Sequence, residues 1–199
     1  MLGTLGVAGA LAGLLLVTVF QLTQPAIQEH KARVLSEAVL EVLAGPERYE
    51  TLYVVDGALV AEPPAGRDAR TLPRVYAGRS AQGALDGFAV TAAKPGFQDV
   101  VSLIFGFDAA TGTLRGMKVL ENKETPGLGD KIEKDAAFTG QFAGRRPPLV
   151  GVKGGADGDA QVDMITGATI SSRTVVAAIN EALERVRPAL EAYAREPAR

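Results

Sequence analysis

Cysteine and tryptophan are absent from the 199 residues, and histidine occurs once, at His30. Without thiols there is no disulfide, no thiolate-bound zinc, no thiolate-held iron–sulfur cluster and no cysteine nucleophile. A single imidazole cannot build an all-histidine metal site within one chain. No histidine is paired with a nucleophile and no paired carboxylates stand out, so hydrolysis by side chains has no candidate machinery. A dominant charge sign is missing too: 21 Lys and Arg against 23 Asp and Glu give a net charge of -2. That balance removes any broad electrostatic case for nucleic acid. Aromatics make up only 6% of the chain, too few for a base-stacking platform. What is present is a globular composition, 47% hydrophobic and 22% charged, enough for the core of one ordinary domain.

Charge is also lacking locally. Leu2 to Phe20 holds no charged residue, and as a helix at about 1.5 Å per residue it would span roughly 28 Å, near the ~30 Å hydrocarbon thickness of a bilayer. Gly3, Gly6, Gly9 and Gly13 are poor in a soluble helix but tolerated in a membrane one, where small faces pack closely. A cleaved signal peptide is the alternative, disfavoured by the missing positively charged leader. Gln24-Pro25 is expected to end the span. Lys31 and Arg33 beyond it nominally favour keeping the next segment inside the cell. The plan is a transmembrane anchor over 1–22, a connecting helix over 23–46 and one domain over 47–199.

Ile27, Val34, Leu35, Ala38, Val39, Val42 and Leu43 recur at helical spacing, and Gly45-Pro46 stops the pattern. Asp56-Gly57 predicts a tight turn between strands at 51–55 and 58–61. A loop follows over 62–74. Strands are expected over 88–92, 100–107 and 114–121, the last two as an antiparallel pair about a turn at 108–112. A short helix over 131–137, a loop over 138–148, and short strands over 149–153 and 160–165 come next. Val176, Ile179, Leu183, Val186, Leu190 and Tyr193 mark a final amphipathic helix beginning near Ser172. The tail from Arg195 to Arg199 should fray. The fold class is α+β, a mainly antiparallel sheet flanked by helices.

Two stretches carry candidate chemistry. Asp163-Met164-Ile165-Thr166-Gly167-Ala168-Thr169, followed by Ile170-Ser171-Ser172, places a glycine turn and several hydroxyls where a helix begins. Unpaired N–H groups and the helix dipole favour an anion there. The plain alternative is a helix cap by Thr169 or Ser171. The second stretch, Glu121 to Lys131, is either a Pro-Gly loop or a surface on which backbone approaches a flat ligand. In the second case Thr125 offers a polar edge and Leu128 an apolar face. Lys153, at a strand end, is a candidate cation for the same ligand.

Asp163-x-x-Thr166-Gly167-Ala168-Thr169 resembles the flavinylation motif of bacterial membrane proteins that carry FMN. Glu124-Thr125-Pro126-Gly127-Leu128-Gly129, followed by Asp130-Lys131-Ile132, is similar to the loop of the FMN-binding domain shared by the G subunit of Rnf complexes and the C subunit of sodium-pumping NADH:quinone oxidoreductase. The order of anchor, loop and motif, with the overall length, is most similar to the Rnf G subunit. The resemblance implies FMN joined through its phosphate to Thr169 by a separate flavin transferase, with Thr166, Gly167 and Ala168 shaping the turn. Asp163 then belongs to the recognition sequence or fixes the turn. It further implies a single-pass protein of the cytoplasmic (inner) membrane with its soluble domain on the periplasmic side, against the weak charge signal. Its partners would be the other membrane subunits of an ion-translocating ferredoxin:NAD+ oxidoreductase, among which it relays electrons rather than turning over substrate. Two rival readings stand beside this one: a free-standing extracytoplasmic FMN carrier serving another respiratory chain, and a cofactor-free anchored interaction domain.

Overall fold

The computed structural model describes residues 2–69 and 71–195. The chain divides into two compact units, Met1–Glu37 and Ala38–Arg199. Helix α1 (Leu2–Val42), whose last residues from Ala38 belong to the second unit, is, among the described residues, the one helix long and apolar enough to cross a membrane. It does not stop at Gln24-Pro25. Pro25 lies inside the helix, where it removes one backbone donor without interrupting the spiral. The end comes later, in a left-handed turn at Ala44 (φ 59°) and Gly45 (φ 74°). There Gly45 N–H donates to the Leu40 carbonyl at 2.8 Å and Ala44 N–H to that of Glu41 at 3.1 Å. These are the paired bonds that close a helix C-terminus, and it is Ala44, not only glycine, that takes the strained conformation.

The second unit is built on a six-stranded antiparallel sheet in the order β2-β1-β3-β4-β5-β6. The strands are β1 (Arg48–Val55), β2 (Ala58–Val60), β3 (Arg74–Arg79), β4 (Leu85–Pro95), β5 (Val100–Asp108) and β6 (Thr113–Glu121). Asp56 and Gly57 both take positive φ between β1 and β2, as the Asp-Gly pair predicts. β4 is longer than its apolar stretch, because it pairs with β5 all the way from Phe88 to Pro95.

The sheet is covered on both faces. On one lies helix α4 (Thr169–Arg195), whose Val175, Val176, Ile179, Leu183, Val186 and Leu190 join Leu52, Val75, Phe88, Val90, Leu103, Phe105 and Phe107 in the main core. On the other lie the last turns of α1, where Ala38, Val39 and Val42 are buried together with Leu43 just after the helix. Gly106 of β5 permits this contact: a Cβ there would fall 2.2 Å from the Val42 carbonyl oxygen.

After β6 the chain makes two single turns rather than one short helix, α2 (Lys131–Lys134) and α3 (Ala136–Thr139). Asp135 breaks them with an extended backbone and caps α3 by accepting from Ala137 N–H. The loop expected over 138–148 is partly structured. Phe138 and Phe142 are buried edge to face, at 5.3 Å between centroids, and a 3-10 turn spans Gly140–Phe142. β7 (Val150–Val152) and β8 (Gln161–Asp163) pair in parallel as a separate ribbon. The final helix starts at Thr169, three residues before the expected Ser172, and Arg195 is its last residue. Residues 196–199 of the tail lie outside the described residues.

Candidate functional site

Three segments far apart in sequence meet at the first turn of α4. Phe97 belongs to the tight loop after β4. Glu124, Thr125, Leu128 and Gly129 belong to the loop after β6. Gly167, Ala168, Thr169, Ile170 and Ser171 form the turn and helix start. Together they line a cleft of roughly 350 Å³. Local chemistry brings each one there. Gly127 (φ 76°) and Gly167 (φ 85°) reverse the chain where other residues would be strained. Leu128 N–H donates to the Thr125 carbonyl at 3.1 Å, closing the Pro-Gly turn, and Ala168 N–H donates to Ile165 at 3.0 Å.

The hydroxyls at this helix start differ sharply. Ser172 is fully buried; it accepts from Ile165 N–H at 3.1 Å and donates to the Ala168 carbonyl at 2.9 Å. Ser171, also buried, donates to Glu124 Oε2 at 2.5 Å. Thr174 donates to the Pro95 carbonyl at 3.4 Å. Thr169 is half-buried on the cleft wall, and among the described residues its hydroxyl has no partner. The first helical bond of α4 runs from Ser172 N–H to Ala168, so the N–H groups of Thr169, Ile170 and Ser171 have no acceptor within the helix. An anion placed beside Thr169 would meet these donors and the positive end of the helix dipole.

The rim of the cleft is apolar. Phe97, Leu128 and Ile170 are 63%, 48% and 52% exposed, three large apolar side chains grouped about one cleft. Below them Glu124 is only 4% exposed. Its Oε1 accepts from Phe97 N–H at 2.9 Å and Gln98 N–H at 3.2 Å.

Not every candidate from the sequence reaches the cleft. Thr166 is exposed beside it and Gly127 turns the loop without lining it. Asp163 sits at the end of β8, its Oδ1 accepting from Ala156 N–H at 3.0 Å, while its backbone N–H donates to Gln141 Oε1 at 2.7 Å. It lines a separate depression of about 400 Å³ with Asp135, Gln141, Arg145 and Met164. Lys153 is exposed just past β7 and lines neither hollow. Phe97, Gly129 and Ile170 line the cleft although the sequence assigns none of them a ligand role. For Phe97 the signal is an aromatic beside a Pro-Gly pair; the other two carry none beyond their place in the motifs.

Every residue lining the cleft falls within 96–184, the stretch matched by the FMN-binding domain family. Over 92% of its length the chain is 32% identical to the G subunit of the ion-translocating oxidoreductase complex of Methanosarcina acetivorans, covering 91% of that protein. It is 29% identical to the G subunit of the Na+-translocating ferredoxin:NAD+ oxidoreductase complex of Acetobacterium woodii, over 89% of this chain and 86% of that one. In fold it is similar to the crystal structure of the C subunit of Na+-translocating NADH-quinone reductase from Parabacteroides distasonis, at TM-score 0.64 and 17% identity, covering 87% of this chain and 98% of that one. With an apolar N-terminal helix, an antiparallel sheet and a cleft at the start of α4 in the order that both motifs require, this chain belongs to the G-subunit family of ion-translocating oxidoreductase complexes.

Proposed function

We propose that the chain is a membrane-anchored electron carrier with FMN esterified through its phosphate to Thr169 Oγ1. The observation that carries this reading is the contrast among the hydroxyls: Thr169 is open to the cleft and unpartnered, whereas Ser171 and Ser172 are buried and bonded. The residues present suit the group. A phosphate at Thr169 would meet free helix N–H groups, and a flat ring beyond it would cover Phe97, Leu128 and Ile170, whose exposure is otherwise unfavourable. Thr125 offers a polar edge from the same loop.

The linkage is made by a separate flavin transferase using FAD. The Thr169 O–H bond breaks, a bond from Oγ1 to the FMN phosphorus forms, AMP leaves with the electrons of the cleaved pyrophosphate bond, and the proton goes to solvent. Thr166, Gly167 and Ala168 are the turn presented to that enzyme, and Asp163, whose Oδ1 accepts from Ala156 N–H, belongs to the sequence that enzyme recognises. The bound flavin supplies reversible electron uptake and release. The protein fixes its orientation, limits water on one side and tunes its potential.

The relatives extend the reading. The G-subunit proteins are named for ion-translocating and ferredoxin:NAD+ oxidoreductase complexes, so this chain relays electrons between other membrane subunits of an Rnf-type complex. Helix α1 crosses the cytoplasmic membrane once and the sheet domain stands on the extracytoplasmic side.

The test is to export the full chain with an active flavin transferase, denature it and look for flavin fluorescence in the protein band. Fluorescence in the parent and none in Thr169→Ala is expected. Undiminished fluorescence in the variant moves the ester to another hydroxyl, with Ser171, which lines the same cleft, the first to test. A dark parent, with a control protein labelled, returns the turn to an ordinary helix start.

A further inference from the structure

Glu124 is the most deeply buried acidic side chain in the described structure, and among the described residues no cation reaches it. A carboxylate out of water is costly unless its oxygens are fully bonded, and apolar replacements of buried ionic groups are often neutral or stabilising. Stability is therefore a poor reason for its presence. Its partners give a better one. Phe97 and Gln98 N–H belong to the loop after β4, Ser171 Oγ belongs to the first turn of α4, and Glu124 itself opens the loop that carries Thr125 and Leu128. One side chain thus joins all three walls of the cleft. All three partners donate, which only a group with acceptors on both oxygens can satisfy without rearrangement.

The surroundings are cut to admit it. A Cβ on Gly96 would lie 2.4 Å from Glu124 Oε1, and one on Gly129 would lie 2.8 Å from Glu124 Cβ and 3.0 Å from Ser171 Oγ. Glu124 N–H in turn donates to Asn122 Oδ1 at 3.1 Å, which fixes where the loop leaves β6. Lys123 faces the other way and pairs with Asp99 at 2.8 Å, fastening the same two loops from outside.

We propose that Glu124 is a positioning residue, whose carboxylate with Ser171 holds Phe97, the Thr125–Gly129 loop and the Thr169 turn at the spacing the flavin ring occupies. It rests on the flavin reading above and adds what sets the cleft's width. Glu124 lies at the floor of the cleft and acts through the three segments it joins.

The test uses the full chain made with the transferase, in parent, Glu124→Ala, Glu124→Gln and Ser171→Ala forms. Amide exchange at Phe97 and Gln98 reads the clamp without reference to flavin. The fraction of chain carrying covalent flavin, and the fine structure of its visible absorption, read the positioning. In Glu124→Ala, exchange at both amides should rise about 10- to 100-fold, as expected for loss of hydrogen bonds to a charged acceptor. Exchange across β4 and β5 should stay unchanged, and flavin loading should fall at least several-fold with altered absorption. Ser171→Ala, a substitution favourable to a helix, should loosen the loop less and shift the absorption in the same direction. Glu124→Gln keeps an acceptor for the two N–H groups and turns its amide to Ser171, so it should recover most of both signals.

Unchanged exchange at Phe97 and Gln98 in both alanine variants overturns the proposal. So does local loosening with normal loading and absorption, and so does failure of Glu124→Gln to recover either signal. If Glu124→Ala does not fold, Ser171→Ala and Glu124→Gln decide it by the same criteria. A parent without covalent flavin overturns the flavin reading and this proposal together. A fluorescent parent with unaffected variants overturns this proposal alone.

Discussion

The two ends of α4 rest on the same sheet yet use their polar groups in opposite ways. At the C-terminal end, Arg79, Glu50 and Tyr193 form a closed knot. Arg79 Nη2 lies 2.6 Å from Glu50 Oε1 and 2.9 Å from the Tyr193 hydroxyl, which itself donates to Glu50 at 2.9 Å. Tyr193 also packs edge to face on Phe88, 6.0 Å between centroids. At the N-terminal end, Ser171 and Ser172 are bonded, but Thr169 and three backbone N–H groups are left open beside exposed apolar side chains. One end is finished by the chain itself. The other is finished only by something else. Open polar groups next to uncovered apolar surface are the two kinds of contact a small-molecule site offers.

Within the N-terminal end the comparison can be sharpened by exchanging two hydroxyls. Ser172→Ala removes both bonds of a fully buried hydroxyl, the one accepted from the part-buried Ile165 N–H and the one donated to the Ala168 carbonyl. The expected loss is about 1–3 kcal/mol of unfolding free energy, two hydrogen bonds at about 0.5–1.5 kcal/mol each, with covalent flavin still formed in the folded fraction. Thr169→Ala should do the reverse, changing stability by less than about 0.5 kcal/mol, as for sites away from buried networks, while abolishing the ester. Urea titration and in-gel fluorescence on the same preparations read both. If Ser172→Ala were silent and Thr169→Ala destabilising, the contrast drawn between the two hydroxyls would be wrong.

At the C-terminal end, Tyr193→Phe keeps the ring against Phe88 and removes only the hydroxyl. Arg79 retains its bonds to Glu50 and to the Gly83 carbonyl, so the expected loss is about 0.5–1.5 kcal/mol, the net worth of an ordinary hydrogen bond. Flavin loading and absorption should not move. A flavin effect would mean that the two ends are coupled along the helix, and the comparison would fail.

How far this arrangement could be read from residues alone follows the same divide. The apolar face of α4 was plain, since Val176, Ile179, Leu183, Val186 and Leu190 keep helical spacing and are all buried. The Asp56-Gly57 turn and the β5–β6 pair were equally plain, because local backbone preference and pattern agree there. The early start of α4 was not legible, because buried Ala168 precedes it and no hydroxyl of Ser171 or Ser172 acts as its cap: both are spent elsewhere. Phe138 and Phe142 read as loop because their partners are supplied by tertiary packing rather than by a period. Thr125, Leu128 and Thr169, which line the cleft, stand in the two motifs. The bond from Glu124 to Ser171 crosses 47 residues, and a charged residue in a polar loop carries no sign that it will be buried.

The smallest effect tests the β5–β6 hairpin, which closes beside the Tyr193 end. Burial pushes the Asp108 carboxyl up, but the backbone N–H groups of Thr111 and Ala110, with Arg115, outweigh it and hold it below its usual value of 3.8. A group depressed in the folded state adds stability that is fully present above its unfolded value. That stability is lost as pH falls through the lower folded value. Asp108→Asn keeps an oxygen for the two N–H groups at 2.9 and 3.1 Å but loses the charge facing Arg115 at 3.3 Å. At neutral pH it should cost about 0.2–1 kcal/mol, as partly exposed ion pairs do. Denaturation curves of parent and variant should differ at neutral pH and converge as pH drops below 3.8. A gap that persisted into strong acid would assign the loss to turn geometry instead of charge. Flavin loading should stay constant throughout, since Asp108 lines the hollow at the closed end of the helix and not the cleft at its open one.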